Sequence, residues 1–206
     1  MTIEILEIEQ GSPDWFAARL GLPTASEFST VMAKGEGKTR SKYMRRLAGE
    51  ILTGEPMETY TNGHMERGKV QEDEARSFYA FDQDVEPLRV GFIRNGRKGC
   101  SPDSLIGDAG GLEIKCCIPD IQIERLERGD MPPEFRAQVQ GSMWVAERDW
   151  WDFMSYCPKL PPLIVRVKRD NGYIATLAGE VDRFNDELAA MVERVRRYGL
   201  LAKEAA

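Results

Sequence analysis

Histidine is nearly missing from this 206-residue chain: His64 is the single copy. That excludes a multi-histidine metal site, and any Ser-His-Asp machinery would have to run through His64. Cysteine is scarce too, and Cys100, Cys116, Cys117 and Cys157 form no C-x-x-C pair. Their scatter argues against a zinc knuckle and against an iron–sulfur cluster. Free thiols, mostly filling the core, are expected instead. No apolar run approaches the roughly 18–20 residues of a membrane span. Met1-Thr2-Ile3-Glu4 lacks the basic start and apolar stretch of a secretory signal, so a cytoplasmic chain without membrane contact is expected. Basic residues are outnumbered, 28 Lys and Arg against 34 Asp and Glu, for a net charge of −6. Taken alone, that charge speaks against nucleic acid as the partner. What is present fits a globular domain: 42% hydrophobic and 30% charged residues, with no repeat and no low-complexity segment.

Hydrophobic periodicity divides the chain. Ser12 is a good N-cap and Pro13 a good first residue for a helix carrying Trp15, Phe16 and Leu20. Thr24-Ala25-Ser26-Glu27 opens a second short helix with Phe28 and Val31 inward. Thr39 to Leu52 reads as a helix through Tyr43, Leu47 and Ile51, and the turn-rich stretch from Gly54 to Gly63 as a boundary. Met65 to Phe81 is a strong helix, with Val70, Ala75, Phe78 and Tyr79 apolar. Strands are expected at Val85 to Arg94, Gly99 to Ile106 and Gly111 to Cys117. Asn95-Gly96 and Ala109-Gly110-Gly111 act as the breakers between them. A helix from Glu134 to about Glu147 follows Pro132-Pro133. Strands at Trp150 to Tyr156 and Leu163 to Lys168 and a helix from about Gly179 to Lys203 complete the order. The expected class is α+β, a mixed central β-sheet flanked by helices, with an N-terminal helical lobe and a C-terminal helix. As one domain over 1–206, it divides into a lobe at 1–60, a core at 64–170 and a helix at 178–203.

Chemistry concentrates in Ser101-Pro102-Asp103-Ser104-Leu105 and Gly111-Leu112-Glu113-Ile114-Lys115. Period two along a strand puts Glu113 and Lys115 on one face and Leu112 and Ile114 on the other. A hairpin can bring Asp103 on the neighbouring strand alongside Glu113. Two close carboxylates repel unless a hard cation neutralises them, and oxygen ligands suit Mg²⁺ or Mn²⁺. A lysine beside such a site can orient or deprotonate a water; carboxylates and cation push its pKa in opposite directions. Metal, water and lysine together can hydrolyse a phosphodiester. The bare pattern also fits solvated surface residues, and so does Glu72 on the preceding helix.

Four ordered blocks narrow the choice. They are Glu9-Gln10-Gly11 with Trp15, Arg19-Leu20-Gly21 and Thr24 to Glu27; Gly68-Lys69 through Glu72, Ala75 and Arg76; Cys100 to Asp103 with Gly111 to Cys116; and Ala137 to Gln140 with Ser142 to Val145. Over most of its length the chain resembles the phage lambda-type alkaline exonucleases, the YqaJ-like viral recombinase nucleases of the PD-(D/E)XK, restriction-endonuclease-like superfamily. The resemblance implies a Mg²⁺-dependent 5′→3′ exonuclease that degrades one strand of duplex DNA in recombination. It implies Asp103 and Glu113 as metal ligands with the Ile114 carbonyl, Glu72 at a second metal position, and Lys115 positioning or activating water. It implies Arg19, Ser26, Ser101 and Gln138 around the 5′-terminal phosphate, where an arginine fork and hydroxyl donors suit a phosphate dianion. Two cations per site, a homotrimeric ring, a single-strand annealing partner and a bacterial host cell complete what it implies. An endonuclease, or an inactive DNA-end-binding protein, remains the competing reading.

Trp144, Trp150 and Trp151 read as core rather than base-stacking platforms. Met65 reads first as an ordinary helix-start contact, with a wedge between terminal bases as the alternative. The segment Lys34 to Arg46 carries six basic residues against Glu36, a local +5. Neither it nor the charged linker from Lys115 to Gln138 matches the family pattern, and both stay unassigned.

Overall fold

The computed structural model describes residues 3–33, 38–57 and 63–198, with the backbone alone described for 63–70. Lys34 and Glu36 of the basic segment, positions 58–62 of the expected boundary, the side chains of His64, Met65 and Val70, and positions 199–203 of the expected last helix lie outside the described residues.

Two sheets carry the site. The first is antiparallel, in the order β1 (Ile3–Leu6), β3 (Phe92–Asn95), β4 (Gly99–Cys100). The second runs β2 (Pro87–Leu88), β5 (Ser104–Ile106), β6 (Gly110–Cys116), β7 (Trp150–Tyr156), β8 (Leu163–Lys168). Only the β6–β7 pair is parallel, so the chain must cross over between them. The crossover holds α5 (Pro119–Arg128), a 3₁₀ turn at Pro133–Phe135 and α6 (Arg136–Ala146). The mixed sheet with flanking helices is the expected α+β class.

Each face of the larger sheet buries its own core. On one face, α4 (Gly63–Gln83) sets Ala75 and Tyr79 on Leu112, Ile114, Met154 and Tyr156. On the other, α6 and α7 (Asn171–Arg196) bring Val139, Met143, Leu177 and Phe184 to Trp151, together with α2 (Phe28–Met32) and α3 (Lys38–Thr53). Asp152, 1% exposed on the α4 face, accepts from Tyr79 Oη at 2.6 Å and from Arg166 Nε and Nη2 at 2.9 and 2.8 Å. The α1 helix (Pro13–Arg19) begins as its sequence suggests, with Ser12 Oγ accepting from the Trp15 amide at 3.2 Å.

Several expectations need correction. β1 has no counterpart among the expected strands. The expected strand from Val85 to Arg94 is two strands in different sheets, β2 and β3. The one expected from Gly99 to Ile106 is likewise split into β4 and β5, and Ser101-Pro102-Asp103 crosses between the sheets. Proline supplies no ladder donor, which suits that crossing. Gly110-Gly111 is strand rather than breaker; the turn precedes it, with Gly107 at φ 50°. A Cβ at Gly111 would meet the Trp151 ring at 2.3 Å, so glycine is what admits the indole of its register partner. Phe78 faces outward, 38% exposed. The last helix starts at Asn171, capped by Asp170 Oδ1, rather than near Gly179. Trp151 is fully buried and Trp150 packs under Arg166, as core tryptophans do. All four cysteines are free.

Candidate active site

Strand register places the carboxylates. Ser104 pairs with Leu112, so the next step back along β5 sets Asp103 opposite Glu113. Asp103 lies outside the ladder, and its Oδ2 accepts from the Ile114 amide at 2.5 Å. A strand residue directs its N–H and C=O to the same edge, so the Ile114 carbonyl also faces the Asp103 side, beyond the last β5 pairing. Glu113 and Lys115 project from the face opposite Leu112 and Ile114. Glu113 is 3% exposed; its Oε1 receives Lys115 Nζ at 2.6 Å and Gln138 Nε2 at 2.6 Å. Its Oε2 is buried with no hydrogen-bond partner among the described residues.

The electrostatics follow from that crowding. Burial, then Glu113, then Glu72 push the Asp103 carboxyl well above the ordinary carboxylate range. Burial alone would lower the Lys115 ammonium, but Glu113 and Asp103 outweigh it and the pKa stands above the usual lysine value. The buried Glu113 carboxylate, with one oxygen lacking a donor, and the half-buried Asp103 carboxyl, which resists ionisation, form an all-oxygen set. That donor set fits a hard divalent cation.

Glu72 lies on the α4 side. Its carboxylate is paired with Arg76 in a short contact, and Arg76 also donates to Asp73 Oδ1 at 2.7 Å, to Ser104 Oγ at 3.0 Å and to the Asp103 carbonyl at 3.4 Å. Among the described residues no group of three or more acidic, His or Cys side chains stands close enough to cage a metal. The convergent pair is Asp103 and Glu113, with Glu72 held to one side by Arg76. A cleft of about 710 Å³ opens here, from Asp103 and Glu72 to Glu7 and Gln10.

The residues assigned to phosphate divide. The Arg19 guanidinium stacks on the Trp15 ring at 3.8 Å, and the Trp15 indole donates to Ser101 Oγ at 2.9 Å and to the Gly91 carbonyl at 3.1 Å. Arg19 is thereby tied to the loop that carries Asp103, and Gln138 to Glu113. Ser26 lies on a three-residue 3₁₀ turn, Ala25–Glu27, exposed, with Thr24 Oγ1 at 3.3 Å. The turn packs against α6 and runs directly into the short α2 at Phe28. The Met65 wedge cannot be placed, because its side chain lies outside the described residues.

Three positioning roles escape the sequence. Gln10 Nε2 donates to the Pro102 carbonyl at 3.0 Å and the Val90 carbonyl at 3.2 Å, pinning the turn before Asp103. Trp15 couples Arg19 to Ser101. Arg76 gathers Glu72 and the Asp103 carbonyl. All three fall inside the motif blocks, yet spacing alone assigns them no partner.

Comparisons with known proteins bear on family and fold. Residues 14–149 match the model of the YqaJ-like viral recombinase domain. An alkaline exonuclease from Laribacter hongkongensis, LHK-Exo, is 35% identical with a TM-score of 0.84, covering 95% of this chain and 100% of that one. Its complex with dAMP gives 36% identity, a TM-score of 0.85 and the same coverage. A phage-related exonuclease from Haemophilus somnus 129PT covers 84% of this chain and 96% of its own, with a TM-score of 0.66 at 14% identity, which speaks to fold alone. No curated protein matches the chain.

Proposed function

The chain belongs to the YqaJ-like viral recombinase family, and from that premise we propose that it is a Mg²⁺-dependent exonuclease acting 5′→3′ on one strand of duplex DNA. The observation that carries this reading is the convergence of Asp103, Glu113 and Lys115 on one strand pair, in a chain similar along almost its whole length to an alkaline exonuclease. The set has the PD-(D/E)XK form. Mn²⁺ would fit the same oxygen ligands.

Asp103, Glu113 and the Ile114 carbonyl would hold the cation. Glu72 would join a second cation by leaving Arg76. A bound divalent cation there supplies positive charge to the scissile phosphate and acidifies a water. Lys115, held beside Glu113 Oε1, would position or activate the attacking water. Gln138 holds Glu113 Oε1 in place, which leaves Oε2 for the cation. Arg19, steadied by Trp15, and Ser101 bind the 5′-terminal phosphate; Ser26 and Gln138 are the further candidates around it. A homotrimeric ring closed around the duplex, a single-strand annealing protein as partner and a recombination role inside a phage-infected bacterial cell complete the proposal. They are supported by the family rather than by any contact in this chain.

The test is digestion of linear duplex with and without a 5′ phosphate, beside a covalently closed circle. The expected result is release of mononucleotides, faster from the phosphorylated end, with the circle intact. Lys115→Ala should lose about 10²-fold or more in rate. A cut circle would make the enzyme an endonuclease. End binding without nucleotide release in Mg²⁺ would make it a binding protein. Equal rates on both ends would remove the phosphate role from Arg19 and Ser101.

A further inference from the structure

We propose that Arg125, on the crossover helix α5, is a contact residue for a backbone phosphate of the substrate strand, next to Lys115. This rests on the nuclease reading above and extends its site toward the far side of the catalytic lysine.

The charged linker between Lys115 and Gln138 contains a helix anchored to the sheet. Gln122, fully buried, donates to the Ser155 carbonyl at 3.3 Å and the Pro161 carbonyl at 2.7 Å, and accepts from Ser155 Oγ at 2.6 Å. That anchor fixes which side of α5 meets the sheet. Glu124 and Glu127 are exposed, whereas Arg125 is half-buried and turned inward. Its Nη1 donates to Ser155 Oγ at 3.0 Å, and its guanidinium lies 5.4 Å from the Phe135 ring centroid and 6.0 Å from that of Phe153.

Register shows where this is. Ser155 is the β7 partner of Lys115 and Phe153 the partner of Glu113. Lys115 Nζ stands 5.3 Å from the same Phe135 ring. Two cations thus share one aromatic side chain on the catalytic face. Lys115 has Glu113 beside it, but among the described residues no carboxylate pairs with Arg125. Like charges so placed repel, and cation–π attraction of about 0.5–2 kcal/mol offsets only part of that repulsion and of the desolvation. An anion brought alongside relieves it. The substrate of the proposed reaction carries one phosphate per about 3.4 Å of rise along each strand, so a strand whose scissile phosphate reaches Lys115 presents the next ones to Arg125. A guanidinium has the right shape for both contacts, because Nη1 stays on Ser155 while the other edge of the fork receives the phosphate.

The proposal is tested by the salt dependence of duplex binding, with Ca²⁺ replacing Mg²⁺ to hold cleavage off. Arg125→Gln removes the charge. Arg125→Met removes it while keeping the contact with both rings, which guards against loss of packing. Arg125→Lys keeps the charge. Each lost phosphate contact lowers the slope of log Kd against log salt by about 0.9. The wild-type advantage over the Gln and Met variants should therefore shrink about 3.5-fold between 50 and 200 mM salt, independent of DNA sequence. The Lys variant should keep the wild-type slope. Wild-type slopes in Gln and Met would overturn the proposal. So would a Lys variant as shallow as Gln, since that marks a packing role. A wild type that neither binds nor degrades duplex would overturn the nuclease reading and this one with it, whereas unchanged slopes in an active enzyme overturn the Arg125 assignment alone.

Discussion

At Asp103 a side chain takes the place of a backbone acceptor. The ladder begins only at Ser104, and the Ile114 amide that a longer β5 would have bonded is bonded by the carboxylate instead. Gln10 and Arg76 hold the carbonyls on either side of it. The cost is an acidic group that burial and Glu113 hold well above its ordinary pKa. Such a group stabilises the fold while protonated and loses that contribution as pH rises through its shifted value. Asp103→Asn keeps the shape and drops the charge. In chelator the variant should equal wild type at acid pH and exceed it increasingly as the pH climbs, by about 1–2 kcal/mol at neutral pH. For a chain of this size each kcal/mol is about 2–4 °C in Tm. Adding Mg²⁺ should raise the wild-type Tm and close the gap, while nuclease activity of the variant stays abolished. Melting curves in EDTA across pH decide it: a variant that melts no higher at any pH would show that Asp103 bears no such burden.

Elements are legible where burial follows chemistry. Trp150–Tyr156 and Leu163–Lys168 are strands over the expected residues, because β-branched and aromatic side chains mark them densely. The alternation of Glu113 and Lys115 against Leu112 and Ile114 marks a real strand with the expected faces. The α5 helix inverts the rule and escapes the sequence: Ile118, Ile121 and Ile123 are exposed, and the residue it buries is Gln122. A polar anchor leaves no apolar stripe to count. The split of the strand from Val85 to Arg94 is also unreadable, since it depends on Gly91 lying against the Ile8 carbonyl, a contact 83 positions apart in the chain that would put a Cβ within 2.0 Å of the oxygen. Gly110-Gly111 misleads in the same way, reading as a turn where tertiary packing requires flat backbone. Gly111→Ala should therefore act as an overpacked core rather than as a loosened turn. The expected loss is about 2 kcal/mol, with Trp151 displaced. Urea denaturation followed by tryptophan fluorescence should report both; an unchanged midpoint would return the glycine to a turn role.

For the whole molecule, charge sets the limits. A net −6 repels a polyanion, and two of the 34 acidic residues, Asp103 and Glu113, belong to the site itself. On the proposed reading, attraction to DNA is then local, at Arg19 and at the Lys115 and Arg125 side of the site. A patchy grip of this kind releases easily in salt, since each phosphate contact adds about 0.9 to the slope of log affinity. Yet an exonuclease that lets go after each step degrades little. Enclosure resolves the conflict, because a closed ring keeps the duplex without holding it tightly, and a tight hold would slow each translocation. If three copies encircle the duplex as proposed, loading and translocation should respond differently to ionic strength. Initiation on fresh ends should fall steeply between about 50 and 200 mM salt, while the number of nucleotides removed per encounter, measured with excess trap DNA, should change little. Sedimentation should give three times the chain mass at the working concentration. A monomer there, or a run length that collapses with salt in step with initiation, would mean that charge alone holds the substrate and that no ring forms.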